Sequence, residues 1–227
     1  MDILKRISAI FYPPRCIFCS RVVHYNETCC PDCRARLPQS GKLFLPEVSG
    51  CLSGCYAPFR YEGAVRKQLL AFKSVRHREL GHAFALLAAP GIKAALGETR
   101  PLVCCVPNFE PEQRRVYNPA RVFGRALAKE LGLPFKGGLL IQTRQKERQH
   151  MLSARERLIN VEDLFAAALP GLIAGRDILL CDDIITTGAT LNACAKALLE
   201  AGAHRVFGAG CAHTAQDTNL CGGEKSG

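Results

Sequence analysis

Residues 177–191, DILLCDDIITTGATL, combine side chains suited to holding a phosphorylated sugar. An apolar run reaches Asp182 and Asp183, passes a loop of Thr186, Thr187, Gly188, Ala189 and Thr190, and enters a helix expected from about Thr190 to Ala201. In an open α/β sheet a ligand sits beyond the carboxyl end of a strand, where the following helix offers unpaired backbone N–H groups to a phosphate. The threonines can donate hydroxyls, and Gly188 permits a positive φ and close backbone approach. The two carboxylates repel phosphate but suit the two hydroxyls of a ribose ring. Strand, acidic pair and phosphate cradle together describe a site for a 5-phosphoribosyl group.

A second chemistry lies near the N-terminus. Cys16-Ile-Phe-Cys19 and Cys30-Pro-Asp-Cys33 are two Cys-x-x-Cys turns ten residues apart. Each can present two thiolates to one tetrahedral zinc, and four thiolates make a closed structural site. His24 and Cys29 are alternative ligands; Cys29 would stand three residues from Cys33, so Cys30 fits better. Cys51 and Cys55 have no pair to complete a second site and stay unassigned. Such a knuckle either supplies folding energy to a segment too small for its own core or docks a partner, and the structural role is the expected one.

The elements that must position these groups follow from periodicity. Residues 56–61 read as a strand, 63–73 as an amphipathic helix, and 77–96 as a longer helix broken near Pro90. A buried strand is expected at 102–106, a proline-containing loop at 107–117, and a helix capped by Asn118 to about Leu131. Residues 139–143 read as a strand, and Ser153-Ala-Arg-Glu156 has the capping-box form. This alternation predicts an α/β layer with a mainly parallel sheet.

The chain has 227 residues, 48% hydrophobic and 22% charged, enough to bury one full domain plus a small appendage. Net charge is +10, and residues 61–155 carry the excess, with 17 Lys/Arg against 7 Asp/Glu. A cationic middle suits a polyanionic partner, either nucleotide phosphates or a nucleic-acid backbone; a merely soluble basic surface is the alternative. Residues 80–96 are the best apolar stretch, and His82, Pro90 and Lys93 break it, so no membrane span is expected. Lys5 and Arg6 interrupt the first apolar run, so no secretory signal is read and a cytoplasmic protein is expected. In that reducing setting 13 Cys point to metal binding or burial rather than disulfides.

Residues 177–191 resemble the phosphoribosyl pyrophosphate (PRPP) motif of type I phosphoribosyltransferases. Further motifs narrow the resemblance: the N-terminal Cys pairs, Phe59-Arg-Tyr61-Glu-Gly63 before a helix ending in Phe72-Lys73, Arg115-Val-Tyr-Asn118, and Glu156-Arg157-Leu-Ile-Asn160-Val161. Together these resemble the ComF family of competence and DNA-utilisation proteins along nearly the whole chain. The resemblance implies a zinc-binding module and hood segment at 1–55 and a phosphoribosyltransferase-like domain at 56–227. It implies that Asp182 and Asp183 bind the ribose hydroxyls, that residues 186–190 bind the 5′-phosphate, and that Mg²⁺ accompanies PRPP. Three patterns depart from the family: Pro-Val-Pro stands as Cys105-Val-Pro107, Arg-Gly-Phe-Asn as Arg115-Val-Tyr-Asn118, and the second Cys set as Cys51 and Cys55.

If the chain turns over, the reaction displaces pyrophosphate at C1′ of PRPP by a nitrogen nucleophile. Arg115 is then the candidate to cover the pyrophosphate, with Arg114 beside it and Arg144, Arg148 and Lys73 behind. A different class of function uses PRPP as a regulatory ligand while the basic segment binds single-stranded DNA. Phe59, Tyr61, Phe109, Tyr117 and Phe123, interleaved with Arg60, Arg66, Arg114, Arg115 and Arg121, are the candidate stacking groups. Handling of imported single-stranded DNA, beside other DNA-uptake or recombination proteins, is the function the resemblance implies. Nucleobase salvage, transferring 5-phosphoribose to a nitrogen acceptor, is the alternative.

Overall fold

A computed structural model describes residues 11–40, 43–108, 117–143 and 164–214. The central sheet runs β1 (Leu43–Phe44), β2 (Gly54–Tyr56), β9 (Arg205–Ala209), β7 (Asp177–Cys181) and β4 (Leu102–Cys105) in that spatial order. The β2, β9, β7 and β4 neighbours are parallel, and β1 joins the edge antiparallel. Residues 178–181 of β7 are all buried, as expected of a parallel strand covered on both faces.

Alternate residues feed two cores. Val103, Cys105, Leu179, Cys181 and Ala209 face α2 (Gly63–Phe72), α3 (Glu79–Leu96) and α4 (Pro119–Leu131), where Phe72, Phe84, Phe123 and Leu127 are fully buried. Leu102, Cys104, Ile178, Leu180 and Val206 face the opposite way, against Leu191, Ala195 and Leu198 of α5 (Ala189–Glu200). Truncating Phe84 or Phe123 to Ala would cost about 3–5 kcal/mol. The expected α/β architecture is therefore present.

Several elements differ from the reading of the sequence. The strand expected at 56–61 is split between β2 and β3 (Phe59–Arg60), which lie in different sheets. Pro58 between them cannot donate to a ladder. β3, β10 (Ala212–His213) and β8 (Ile184–Ile185) form a second, parallel sheet, while β5 (Leu140–Gln142) and β6 (Phe165–Ala167) form an antiparallel ribbon. The helix expected to break at Pro90 runs through it. Pro90 is exposed while Ala88 and Ile92 are buried, so packing on that face carries the helix past one missing hydrogen bond. His77 sits in a short 3₁₀ turn (Val75–His77) before the helix. The α4 expectation holds closely: the Asn118 carboxamide oxygen accepts from the Arg121 N–H at 3.0 Å, Pro119 occupies the first turn, and Gly132 ends the helix at φ 64°. The capping box at 153–156 lies outside the described residues.

The cysteine-rich segment packs on the first core. The Phe18 ring stands edge-on to Phe59 and Phe84, each 6.4 Å away between centroids. Backbone hydrogen bonds from Arg60 N–H to the Pro38 carbonyl and from Ser40 N–H to the Pro58 carbonyl tie its exit to β3.

Candidate functional site

Cys16, Cys19, Cys30 and Cys33 bring their sulfurs within 4.8 Å of one another. A tetrahedral ZnS4 centre with bonds of about 2.3 Å needs sulfurs about 3.8 Å apart, and Cys19 and Cys30 stand at 3.7 Å. The pair of turns is built locally. Cys30 caps the short helix α1 (Pro31–Arg36), so its Sγ accepts from the Cys33 N–H at 3.4 Å. Burial alone would raise the Cys16 thiol, but backbone N–H groups of Cys30, Phe18 and Cys19 outweigh it and bring it to about 6, the thiolate a metal requires. Burial raises Cys29, to about 12, and raises Cys33 as well; what sets Cys29 apart is its position, with its thiol donating to the Cys30 carbonyl at 3.5 Å outside the four-sulfur cluster. Cys30, not Cys29, completes the set, and the four thiols suit a structural zinc. Cys55 is a core thiol on β2, raised to about 12 by burial and facing the bare Cα of Gly208.

At the carboxyl end of β7 the chain turns through Asp182 and Asp183. Each carboxylate stabilises the turn itself: Asp182 Oδ1 accepts from the Asp183 N–H at 2.8 Å, and Asp183 Oδ1 from the Ile184 N–H at 2.9 Å. The Asp183 carbonyl accepts from Cys211 N–H at 3.1 Å, and the Asp182 N–H reaches the Ala209 carbonyl at 2.9 Å. Burial first, and then the neighbouring charge of Asp183, pushes the Asp182 carboxyl well above the usual carboxylate range. Lys73 Nζ, at the end of α2, lies 4.0 Å from Asp183 Oδ2. The floor beneath is apolar: Cys181, Cys194 and Cys211 are buried, and burial holds all three thiols well above their usual value, so they stay protonated.

The loop after the acidic pair opens α5. Gly188 caps it at φ 84°, the left-handed region that favours glycine, and Ala189 N–H reaches Thr187 Oγ1 at 3.4 Å. Thr186 and Thr187 are exposed and Thr190 is half-buried. A strap from the N-terminal part of the chain lies on this loop. Val48 N–H donates to the Thr187 carbonyl at 2.9 Å, and a Cβ on Gly188 would stand 2.5 Å from Pro46 Cγ and 2.7 Å from the Val48 carbonyl oxygen. Cys51 N–H donates to Asn192 Oδ1 at 2.8 Å, which fixes the strap to the first turns of α5.

Tyr117 borders the same region. Its ring meets Phe72 edge-on at 6.1 Å, and its hydroxyl is buried with no hydrogen-bond partner among the described residues. An unsatisfied buried polar group of this kind costs about 1–3 kcal/mol.

The structure thus brings Asp182, Asp183 and residues 186–190 to one sheet edge. Arg114, Arg115, Arg144 and Arg148 lie outside the described residues, as does Phe109. Lys73, ranked behind the arginines on sequence, is the described cation that an ion pair places at the acidic pair. Phe59 and Phe123 are core residues, so the stacking set loses both. The strap at residues 46–48 carries no signal in the sequence.

Two family models match the chain: a phosphoribosyl transferase domain over residues 117–220 and a double zinc ribbon domain over residues 7–44. The DNA utilization protein YhgH of Escherichia coli K12 is 29% identical over 203 residues, covering 84% of this chain and 86% of that protein. Competence protein F of Haemophilus influenzae is 26% identical over 200 residues, covering 85% and 82%. Among solved structures, the glutamine PRPP amidotransferase of B. subtilis overlaps 59% of this chain and a quarter of its own, at 23% identity and a TM-score of 0.38. Among the described residues no helix is long and apolar enough to cross a membrane. With a four-thiol cluster ahead of a parallel α/β sheet, the chain carries a stretch that matches a phosphoribosyl transferase domain behind one that matches a double zinc ribbon, and over most of its length it is similar to proteins named for DNA utilization and competence.

Proposed function

We propose that this protein binds PRPP with Mg²⁺ at the carboxyl end of β7 and acts in the cytoplasmic handling of imported single-stranded DNA. The observation that carries the first half is the meeting of two half-buried carboxylates with the glycine-capped start of α5 at one sheet edge. Asp182 and Asp183 take the ribose hydroxyls, and the N–H groups and hydroxyls of residues 186–190 take the 5′-phosphate. A carboxylate held above its usual range is suited to a hydroxyl donor or a cation that relieves it. Asp183 and Asp182 are the oxygens that would stand nearest the metal, and Mg²⁺ supplies neutralisation of the pyrophosphate charge. Arg115 covers that pyrophosphate in this reading. Residues 1–55 then serve as zinc module and hood, and residues 56–227 as the phosphoribosyltransferase domain.

The second half rests on the relatives' names, DNA utilization and competence, and on one surface. Arg66 lies 5.9 Å over the Tyr61 ring, and Lys67, Lys73, Arg76 and Arg78 are all exposed along α2 and the 3₁₀ turn. A cationic strip with one aromatic suits a sugar-phosphate backbone more than base-specific readout. Partner proteins of DNA uptake or recombination would meet the molecule beside it.

The test is pyrophosphate release from Mg-PRPP with free bases and a single-stranded oligonucleotide as acceptors, alongside a thermal shift with PRPP. Release dependent on one nucleobase converts the reading to salvage. A melting temperature raised by PRPP without release makes the protein a PRPP-responsive binding module. No shift and no release overturns the site.

A further inference from the structure

We infer that the Tyr117 hydroxyl is a positioning group for the acidic pair, donating to Asp183 when a 5-phosphoribosyl compound occupies the site and so holding that carboxylate on the ribose hydroxyls. The inference rests on the binding site proposed above and adds a residue to it.

Three observations converge. The Tyr117 oxygen is a buried donor with no acceptor among the described residues. Folding does not leave such a group unmatched without cost, so an acceptor brought within its reach when the site fills is the natural complement. The ring is placed next to the acidic pair. It packs edge-on against Phe72, and its neighbour Asn118 bonds the Val106 carbonyl while the Val106 N–H donates to the Cys181 carbonyl at 3.0 Å, directly before Asp182. Of the Asp183 oxygens, Oδ1 is occupied by the Ile184 N–H at 2.9 Å, whereas the Lys73 ammonium stands 4.0 Å from Oδ2, beyond hydrogen-bond range.

The backbone keeps the phenol there. Asn108 Nδ2 donates to the Tyr117 carbonyl at 2.8 Å, and Asn118 Nδ2 to the Val106 carbonyl at 3.1 Å, clamping residue 117 between the exit of β4 and the first turn of α4. Burial first, then negative charge on Glu79, Cys211 and Asp183, pushes the phenol above its usual value, so it keeps its proton at neutral pH.

Tyr117→Phe in the full, zinc-loaded chain tests the assignment by calorimetric titration with Mg-PRPP, ribose 5-phosphate and 2-deoxyribose 5-phosphate. The expected result is an affinity about tenfold lower for PRPP and ribose 5-phosphate, at a melting temperature equal to or above that of the wild type. For the 2-deoxy sugar, which lacks one of the two hydroxyls, the loss should shrink to about twofold. Unchanged affinities in the variant, while the wild type binds, overturn the role of Tyr117 and leave the site standing. An equal loss on all three ligands with a lowered melting temperature also overturns it, because a packing role would produce that pattern. Wild-type protein that binds none of the three, or binds them equally well as Asp182→Asn/Asp183→Asn, removes the site and this inference together.

Discussion

β7 begins at the carboxylate of Asp177 and leads straight into that of Asp182, and the two are built in opposite ways. Asp177 has both oxygens occupied: Arg205 Nε donates to Oδ1 at 3.0 Å and its terminal nitrogen to Oδ2 at 2.8 Å, while His204 Nδ1 sits 2.9 Å from Oδ1. The Arg205 hydrogen bond above all holds that carboxyl below its usual range. Asp182, five residues on, has one local hydrogen bond, a like charge beside it, and a carboxyl pushed well up by burial. The same residue type is satisfied by the protein where the strand starts and, in the function proposed above, left for a ligand just past its end. The four thiols share the condition of Asp182, since they converge on a point that only a cation can fill. Groups the fold leaves unfinished mark function more sharply than groups it satisfies.

The largest effect expected from this contrast is at the thiols. Metal removal by a chelator should release zinc, one per chain from this cluster, and strip hydrogen-exchange protection from residues 11–40 while β4, β7 and β9 keep theirs. Uniform loss of protection would show that the module is not a separate dependent of its metal. Next, Asp182→Asn with Asp183→Asn should weaken Mg-PRPP binding at least about 100-fold, yet raise the melting temperature by about 2–4 °C, the shift of roughly 1 kcal/mol in a chain of this size. A fall in melting temperature would place Asp182 with Asp177 as a structural group. Gly188→Ala puts a Cβ into Pro46 and the Val48 carbonyl at a left-handed φ, and should cost about 1–2 kcal/mol with weaker phosphate binding. Calorimetry with ribose 5-phosphate and a thermal melt measure both. Asp177→Asn should cost under about 1 kcal/mol, since Arg205 is exposed, and leave PRPP affinity unchanged.

The smallest effect is in the pH dependence, where the two ends should have opposite signs. Asp177 is lowered in the folded state, so its contribution is present above the ordinary carboxylate value near 4 and is lost as pH falls through its lowered value. Asp182 is raised, so its contribution is present below that ordinary value and is lost as pH rises through its raised one. Melting curves of wild type, Asp177→Asn and Asp182→Asn from acid to neutral pH should therefore diverge at opposite ends of the range. Parallel curves would erase the contrast.

Much of this was legible in the sequence because its determinants are local. The strand, acidic pair, glycine and helix at 177–200 are contiguous, and the Cys spacing alone ranked Cys30 above Cys29. The α4 cap needed only Asn118, Pro119 and Gly132. What escaped depends on chain segments that meet from afar. Pro46 and Val48 reach Gly188 and Thr187 across some 140 positions, and neither has a pattern that announces it. Lys73 gains its place from where α2 ends relative to Asp183, which no periodicity reports. Pro90 misled because propensity weighs the lost hydrogen bond and not the buried face that carries the helix on.

The strap over Gly188 also sets an order of events during synthesis. β2 pairs with β9, and Val48 bonds Thr187, so the N-terminal quarter has no place in the sheet until residue 209 has been made. The cysteine turns need only their own 18 residues and a metal ion, and can close as the nascent chain emerges. The strap at residues 46–48 is thus made well before the loop it lies on, and contacts this distant in sequence are the slow ones to form.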